Sequence, residues 1–156
     1  AASWTRDIVI HLPPAAAAKE LVIAERTANQ ETKIAHALYL AGLLGNVSSH
    51  NAGFLESLAS RFVTPRAFRS YLGELQQQAA KIRDEQLTTT FQAMEATYDP
   101  GTDFVSVTGL LVTRGVTDVE RRDYRTFRFR FVTREHQTLL DELHVHDEHT
   151  RLAAGG

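Results

Sequence analysis

The chain has 156 residues, which suits one domain with a sizeable core. Its net charge of -2 gives no global pull toward nucleic acid or an anionic membrane, and with no cysteine it has neither a disulfide nor a thiolate metal site. No stretch approaches the ~20 apolar residues needed to span a bilayer. The sequence opens Ala1-Ala2-Ser3 without an initiator methionine. The expectation is a piece from which an upstream targeting or membrane segment has been removed.

Trp4 to Leu12 alternates, with Ile8, Ile10 and Leu12 on one side, and reads as a short strand closed by Pro13-Pro14. Ala15 to Arg26 fits either a helix or an extended lead-in. Thr27-Ala28-Asn29-Gln30 has capping-box spacing, so a helix is predicted to start there. Its apolar stripe is Ile34, Leu38, Ala41 and Leu44, widened by Tyr39, Leu40 and Leu43, and Gly45-Asn46 ends it. So wide a face suggests contact on two sides, with the core and with a partner.

Ser48 or Ser49 is the expected cap of a second helix carrying Phe54, Leu55 and Leu58, with Phe62 on the same side. Thr64-Pro65 starts a third, with a hydroxyl cap and proline in the first turn. Phe68, Leu72, Leu75, Ala79 and Ile82 form its stripe.

From Thr88 the period becomes two. A strand to about Tyr98 meets the turn Asp99-Pro100-Gly101-Thr102, where glycine is expected to take a positive dihedral. Phe104 to Thr113 returns with Val105, Val107, Gly109 and Leu111 on one side. Gly115 to Arg122 reads as a polar connection. In Tyr124 to Val132, Phe127, Phe129 and Phe131 share one face and Arg128 and Arg130 the other. After a turn at Glu135-His136-Gln137, Thr138 to His146 is the last strand, with Leu139, Leu143 and Val145 on one face. Residues 148–156 are read as a flexible tail. Helices first and strands after imply an α+β domain whose antiparallel sheet packs against about three helices.

Seven of the fourteen arginines lie between Arg114 and Arg134, so that region is expected to be locally positive. Arg128 and Arg130 between phenylalanines resemble a nucleic-acid platform in composition. Such a platform exposes its aromatics, whereas three Phe on one face point to a core. An outward arginine stripe, solvated or facing a partner protein, fits better, and no direct nucleic-acid binding is expected.

His144, His146 and His149 fall at spacings that could chelate a metal from a strand end, or could simply be exposed titratable groups. No metal or cofactor is expected. No nucleophile elbow, phosphate loop or helical zinc motif occurs. Asp141, if it shares the apolar face with Leu139 and Leu143, would have a raised pKa and could serve as a general base. The other reading is a strand-end carboxylate bonded to arginine or backbone.

Several segments, taken in order, resemble one family. They are Tyr39-Leu40-Ala41, Asn46-Val47-Ser48-Ser49, Tyr71-Leu72 with Ala80-Lys81-Ile82-Arg83-Asp84-Glu85, Thr90-Phe91, Val105-Ser106-Val107-Thr108-Gly109 and Leu139-Leu140-Asp141. Together they are similar to the TraE family of conjugative type IV secretion, over roughly Thr27 to Asp147. The resemblance implies a periplasmic domain of a VirB-eight-like inner-membrane component, over 1–147, with 1–26 as lead-in after a membrane anchor. It implies a curved, cone-shaped fold like nuclear transport factor and ketosteroid isomerase. It also implies a non-catalytic assembly role, with self-association and binding to other channel components. The Asn-Pro-Xaa-Gly turn of the VirB-eight branch is absent, and Asp99-Pro100-Gly101 does not replace it. The family's interfaces carry no motif. The contact residues expected here are therefore read from the pattern: Tyr39 and Leu43 on the first helix, Arg128 and Arg130 on the strand. The alternative is a small cone-fold enzyme using an inward carboxylate.

Overall fold

The computed structural model describes residues 14–117 and 119–149, with side chains from Asn29 onward except at 56, 58–60, 72 and 149. The strand expected at Trp4 to Leu12 lies outside the described residues. By contacts the chain divides into two compact units, Ala1–Lys33 and Ile34–Gly156. The second holds the sheet and most of the helical structure.

Helix α1 spans Pro14–Gly45. It runs unbroken through the capping box expected at Thr27, because nothing between Ala15 and Ala41 is glycine or proline and the alanine run favours helix. It does stop at Gly45, though not through a left-handed glycine, since no described glycine has positive φ. Asn46 ends it instead. Its Nδ2 donates to the Gly42 carbonyl at 2.7 Å, and its Oδ1 accepts from the Phe91 amide at 3.2 Å. Gly45 is required by crowding: a Cβ there would lie 2.3 Å from the Phe91 Cβ.

Helix α2 spans Ala52–Phe62, later than the serine caps suggested. The Ser48 carbonyl accepts from both Asn51 and Ala52, and Asn51 Oδ1 takes the Ser48 amide, so 48–51 is a turn before the helix. Leu55 is buried while Phe54 is exposed. Helix α3 spans Pro65–Asp84, and Thr64 caps it as expected, its hydroxyl accepting from the Ala67 amide at 3.2 Å.

Four strands follow, β1 Thr88–Asp99, β2 Phe104–Arg114, β3 Glu120–Arg134 and β4 Gln137–His149, in one antiparallel sheet of order β1-β2-β3-β4. The chain is α+β, a four-stranded sheet with helices packed on its inner face. At the first hairpin the positive φ falls on Asp103 (63°), not Gly101, because a longer loop places the left-handed residue just before β2. Strand β3 begins at Glu120, four residues earlier than expected. Glu120 pairs in register with Arg114 and binds both Arg114 and Arg122. The β3–β4 turn has positive φ at Glu135 and His136, the two-residue geometry that suits strand twist.

The core sits between the inner sheet face and the helices. Ala37 and Ala41 of α1 meet Phe91, Val105, Val107, Leu111, Phe127, Phe129, Phe131 and Leu140. Small residues on α1 let the helix approach three stacked phenylalanine rings, with centroids 5.8 and 6.0 Å apart. Phe91 meets Phe127 edge-on at 5.2 Å.

On β4 the predicted apolar face is corrected. The ladder slips between Arg130 and Phe131, which pair with Glu142 and Leu140, so Asp141 is an extra residue. A bulge of one residue reverses the alternation. The inward set is Leu140, Leu143 and Val145, and Leu139 pairs with Val132 on the other face.

Candidate partner-binding surfaces

Tyr39 and Leu43 are one helical turn apart on α1. Tyr39 is 60% exposed. It lines a groove of about 240 Å³ with His36, Leu40, Phe62, Phe131 and Thr138, and the His36 ring lies 6.0 Å from that of Phe131. Leu43 is half-buried and faces a smaller apolar cavity of about 60 Å³ shared with α2 and α3. Leu38 and Phe62 are also partly open. The wide face read from the sequence is thus half core and half surface.

Arg128 and Arg130 lie on the opposite, outer face of the sheet, so the two pairs are not brought together. Nor do the two arginines behave alike. Arg130 Nη2 binds Glu142 at 2.6 Å and reaches Asp141 at 3.6 Å. Arg128 stands over the Phe104 ring, Cζ to centroid 4.5 Å, and among the described residues it has no carboxylate within ion-pair distance.

The expected positive region is largely neutralised, because carboxylates lie beside the arginines, across the ladder at Arg114–Glu120 and Arg125–Asp147 and two residues along the same strand at Arg121–Asp123 and Arg122–Glu120. Arg114 and Arg122 bind Glu120, Arg121 binds Asp123, and Arg125 grips Asp147 through two bonds of 2.6 and 2.7 Å. The Arg125 bonds, chiefly, hold the Asp147 carboxyl below the usual range. Near Arg125, burial and the Glu74 charge push the Tyr71 hydroxyl up to about 12.

Asp141 is buried, but it is not a poised base. Its Oδ1 accepts from the Thr64 hydroxyl at 2.9 Å and its Oδ2 from Arg66. Burial alone would push its pKa up, but the bonds from Arg66 and Thr64 and the charges of Arg66 and Arg130 outweigh it, so the pKa is lowered. The raised-pKa expectation is overturned. The Thr64 amide also donates to the Leu140 carbonyl at 2.9 Å, and Val63 bridges Leu140. Asp141 therefore ties the bulge of β4 to the start of α3, a carboxylate bonded to arginine as in the other sequence reading.

His144 and His146 are exposed on the outer face of β4. Among the described residues no three His, Cys, Asp or Glu converge as a metal site. Sequence reasoning missed Phe104 and Phe62 as surface residues. Phe104 was detectable, because with Val105 and Val107 inward its parity points out. Thr64 was legible as a cap, but not its second bond to Asp141, 77 residues away.

Among the described residues no helix is long and apolar enough to cross a membrane. A family model described as TraE protein matches residues 1–144. No curated protein and no solved structure matches the chain.

Proposed function

The chain belongs to the TraE family and is a component of conjugative transfer through type IV secretion, and on that premise we propose that it is a non-catalytic assembly part of the channel. It self-associates and binds other inner-membrane channel proteins, and it works on the periplasmic side of a bacterial inner membrane. The observation that carries this reading is the family match over 1–144. The tethered state of Asp141 supports it, since the carboxylate best placed to act as a base is engaged by Thr64 and Arg66. We read the helix-covered antiparallel sheet as a cone of the nuclear-transport-factor type, supported by helices meeting the inner face. Tyr39 and Leu43 on α1, and Arg128 and Arg130 on the outer face of the sheet, are the proposed contact residues.

Deleting the coding sequence from its transfer system should abolish conjugation, and a copy in trans should restore it. Tyr39→Asp should fold, because Tyr39 is open to solvent, yet lower transfer at least about tenfold by removing an aromatic anchor. In vivo cross-linking through a photoreactive residue at position 39 should capture a second copy or a known channel component. Undiminished transfer after deletion would overturn the reading.

A further inference from the structure

Phe104 opens β2 on the outer face of the sheet. Arg128 lies 4.5 Å from its ring centroid and Arg130 5.5 Å, and the His144 ring is 5.7 Å away, tilted by 54°. Register produces this grouping, since Ser106, Arg128 and His144 form one cross-strand row. The neighbouring row pairs Arg130 with Glu142, and Arg130 spends its donors there.

Arg128 is placed differently. It is exposed, its Cζ lies over the ring, and no ion pair among the described residues includes it. Asp99 feels its charge, but the Asp99 oxygens already accept from the Gly101 amide and the Thr102 hydroxyl. A guanidinium held over a ring and outside any ion pair has N–H donors to give a carboxylate, and the ring removes part of the entropy of holding it. A fork of this kind binds a carboxylate through two parallel bonds.

Resting on the reading of this chain as a binder of partner proteins, we propose that Arg128, backed by Phe104 and His144, is the receptor for a single carboxylate side chain, flanked by uncharged residues, on a partner protein. Charge complementarity selects this occupant. The site offers one arginine outside any ion pair among the described residues, while Glu142 and Asp99 beside it repel a polyanion such as nucleic acid or an anionic lipid surface.

The test is a titration of the full chain, followed by NMR at the arginine Nε–H groups and the Phe104 ring. The probes are the peptides acetyl-Leu-Asp-Leu-amide and acetyl-Leu-Asn-Leu-amide. The Asp peptide should give saturable shifts at Arg128 and Phe104 and bind at least about tenfold more tightly than the Asn peptide. Arg128→Gln should erase that preference with an unchanged thermal midpoint. Arg134→Gln, the same charge change on the same strand, should keep it. Equal response to both peptides, or a preference that survives Arg128→Gln, would overturn the proposal. So would tighter binding of a single-stranded oligonucleotide or an anionic vesicle through Arg128. These titrations read the site alone, and the deletion experiment reads the functional assignment, so either can fail without the other.

Discussion

Phe127, Phe129 and Phe131 on the inner face of β3 are no more than 3% exposed, whereas Arg128, between two of them in sequence, is open to water. The inner face is held by burial and ring packing, with α1 closed over it through Ala37 and Ala41. The outer face is held by pairings chosen one by one: Arg130 with Glu142, Arg114 and Arg122 with Glu120, Thr108 with Thr126 at 2.9 Å. Burial therefore holds one side of the strand, and individual polar pairings hold the other. A change to an inner residue disturbs everything stacked on it, while an outer residue is altered with its few partners.

The sharpest way to break this contrast is Phe129→Ala. Phe129 is fully buried between two rings, so its truncation should cost about 3–5 kcal/mol in urea unfolding, enough to unfold a marginal domain. If the loss were under about 1 kcal/mol, the inner face would not be a packed core.

Asp141→Ala comes next. It leaves Thr64 buried without its acceptor and frees the bulge from α3, and should cost about 2–3 kcal/mol. The pH dependence has a definite sign. Asp141, Asp147 and Glu120 have pKa values lowered in the folded chain. Their contribution is present above the unfolded carboxylate values near about 4, and is lost as pH falls through the depressed folded values. Urea midpoints should drop between about pH 5 and pH 2, and less steeply in Asp141→Asn.

Gly109→Ala probes the floor of the inner face. Its Cβ would sit 2.2 Å from the Gln92 carbonyl oxygen and 2.8 Å from the Phe91 ring, so a loss of about 1–3 kcal/mol is expected from backbone displacement. The smallest effects belong to the outer face. Arg130→Ala should lose about 0.5–1 kcal/mol with its partly exposed ion pair, and Arg128→Ala should stay within about 0.5 kcal/mol of the parent. Should Arg128→Ala destabilise as much as Arg130→Ala, the distinction between them would fail.

Much of the fold was legible because local chemistry and tertiary packing agreed. Thr64-Pro65 starts α3 as its residue types require, Val105, Val107 and Leu111 all face inward, and the three phenylalanines are core. Where they disagreed, an interaction distant in sequence decided. The stop after Gly45 rests on Asn46, whose side chain bonds the Gly42 carbonyl and the Phe91 amide, and the glycine itself answers crowding by Phe91, 46 residues later, and not the backbone freedom that glycine advertises. The candidate surfaces were half legible: Tyr39 is as exposed as the pattern implied, but nothing local separates Arg128 from Arg130.

By itself the sequence determined the helix-then-strand order, the inward face of β2 and β3, and the family, because each follows from periodicity or from segments in order. Only the tertiary structure decided which leucines of β4 turn inward, which arginines are held in ion pairs, and that Asp141 is a tether and not a base. The reason is the same in all three. A single extra residue at Asp141, held by Thr64 and Arg66 from the start of α3, resets the alternation of β4, and with it the β4 carboxylates that lie beside Arg125, Arg128 and Arg130.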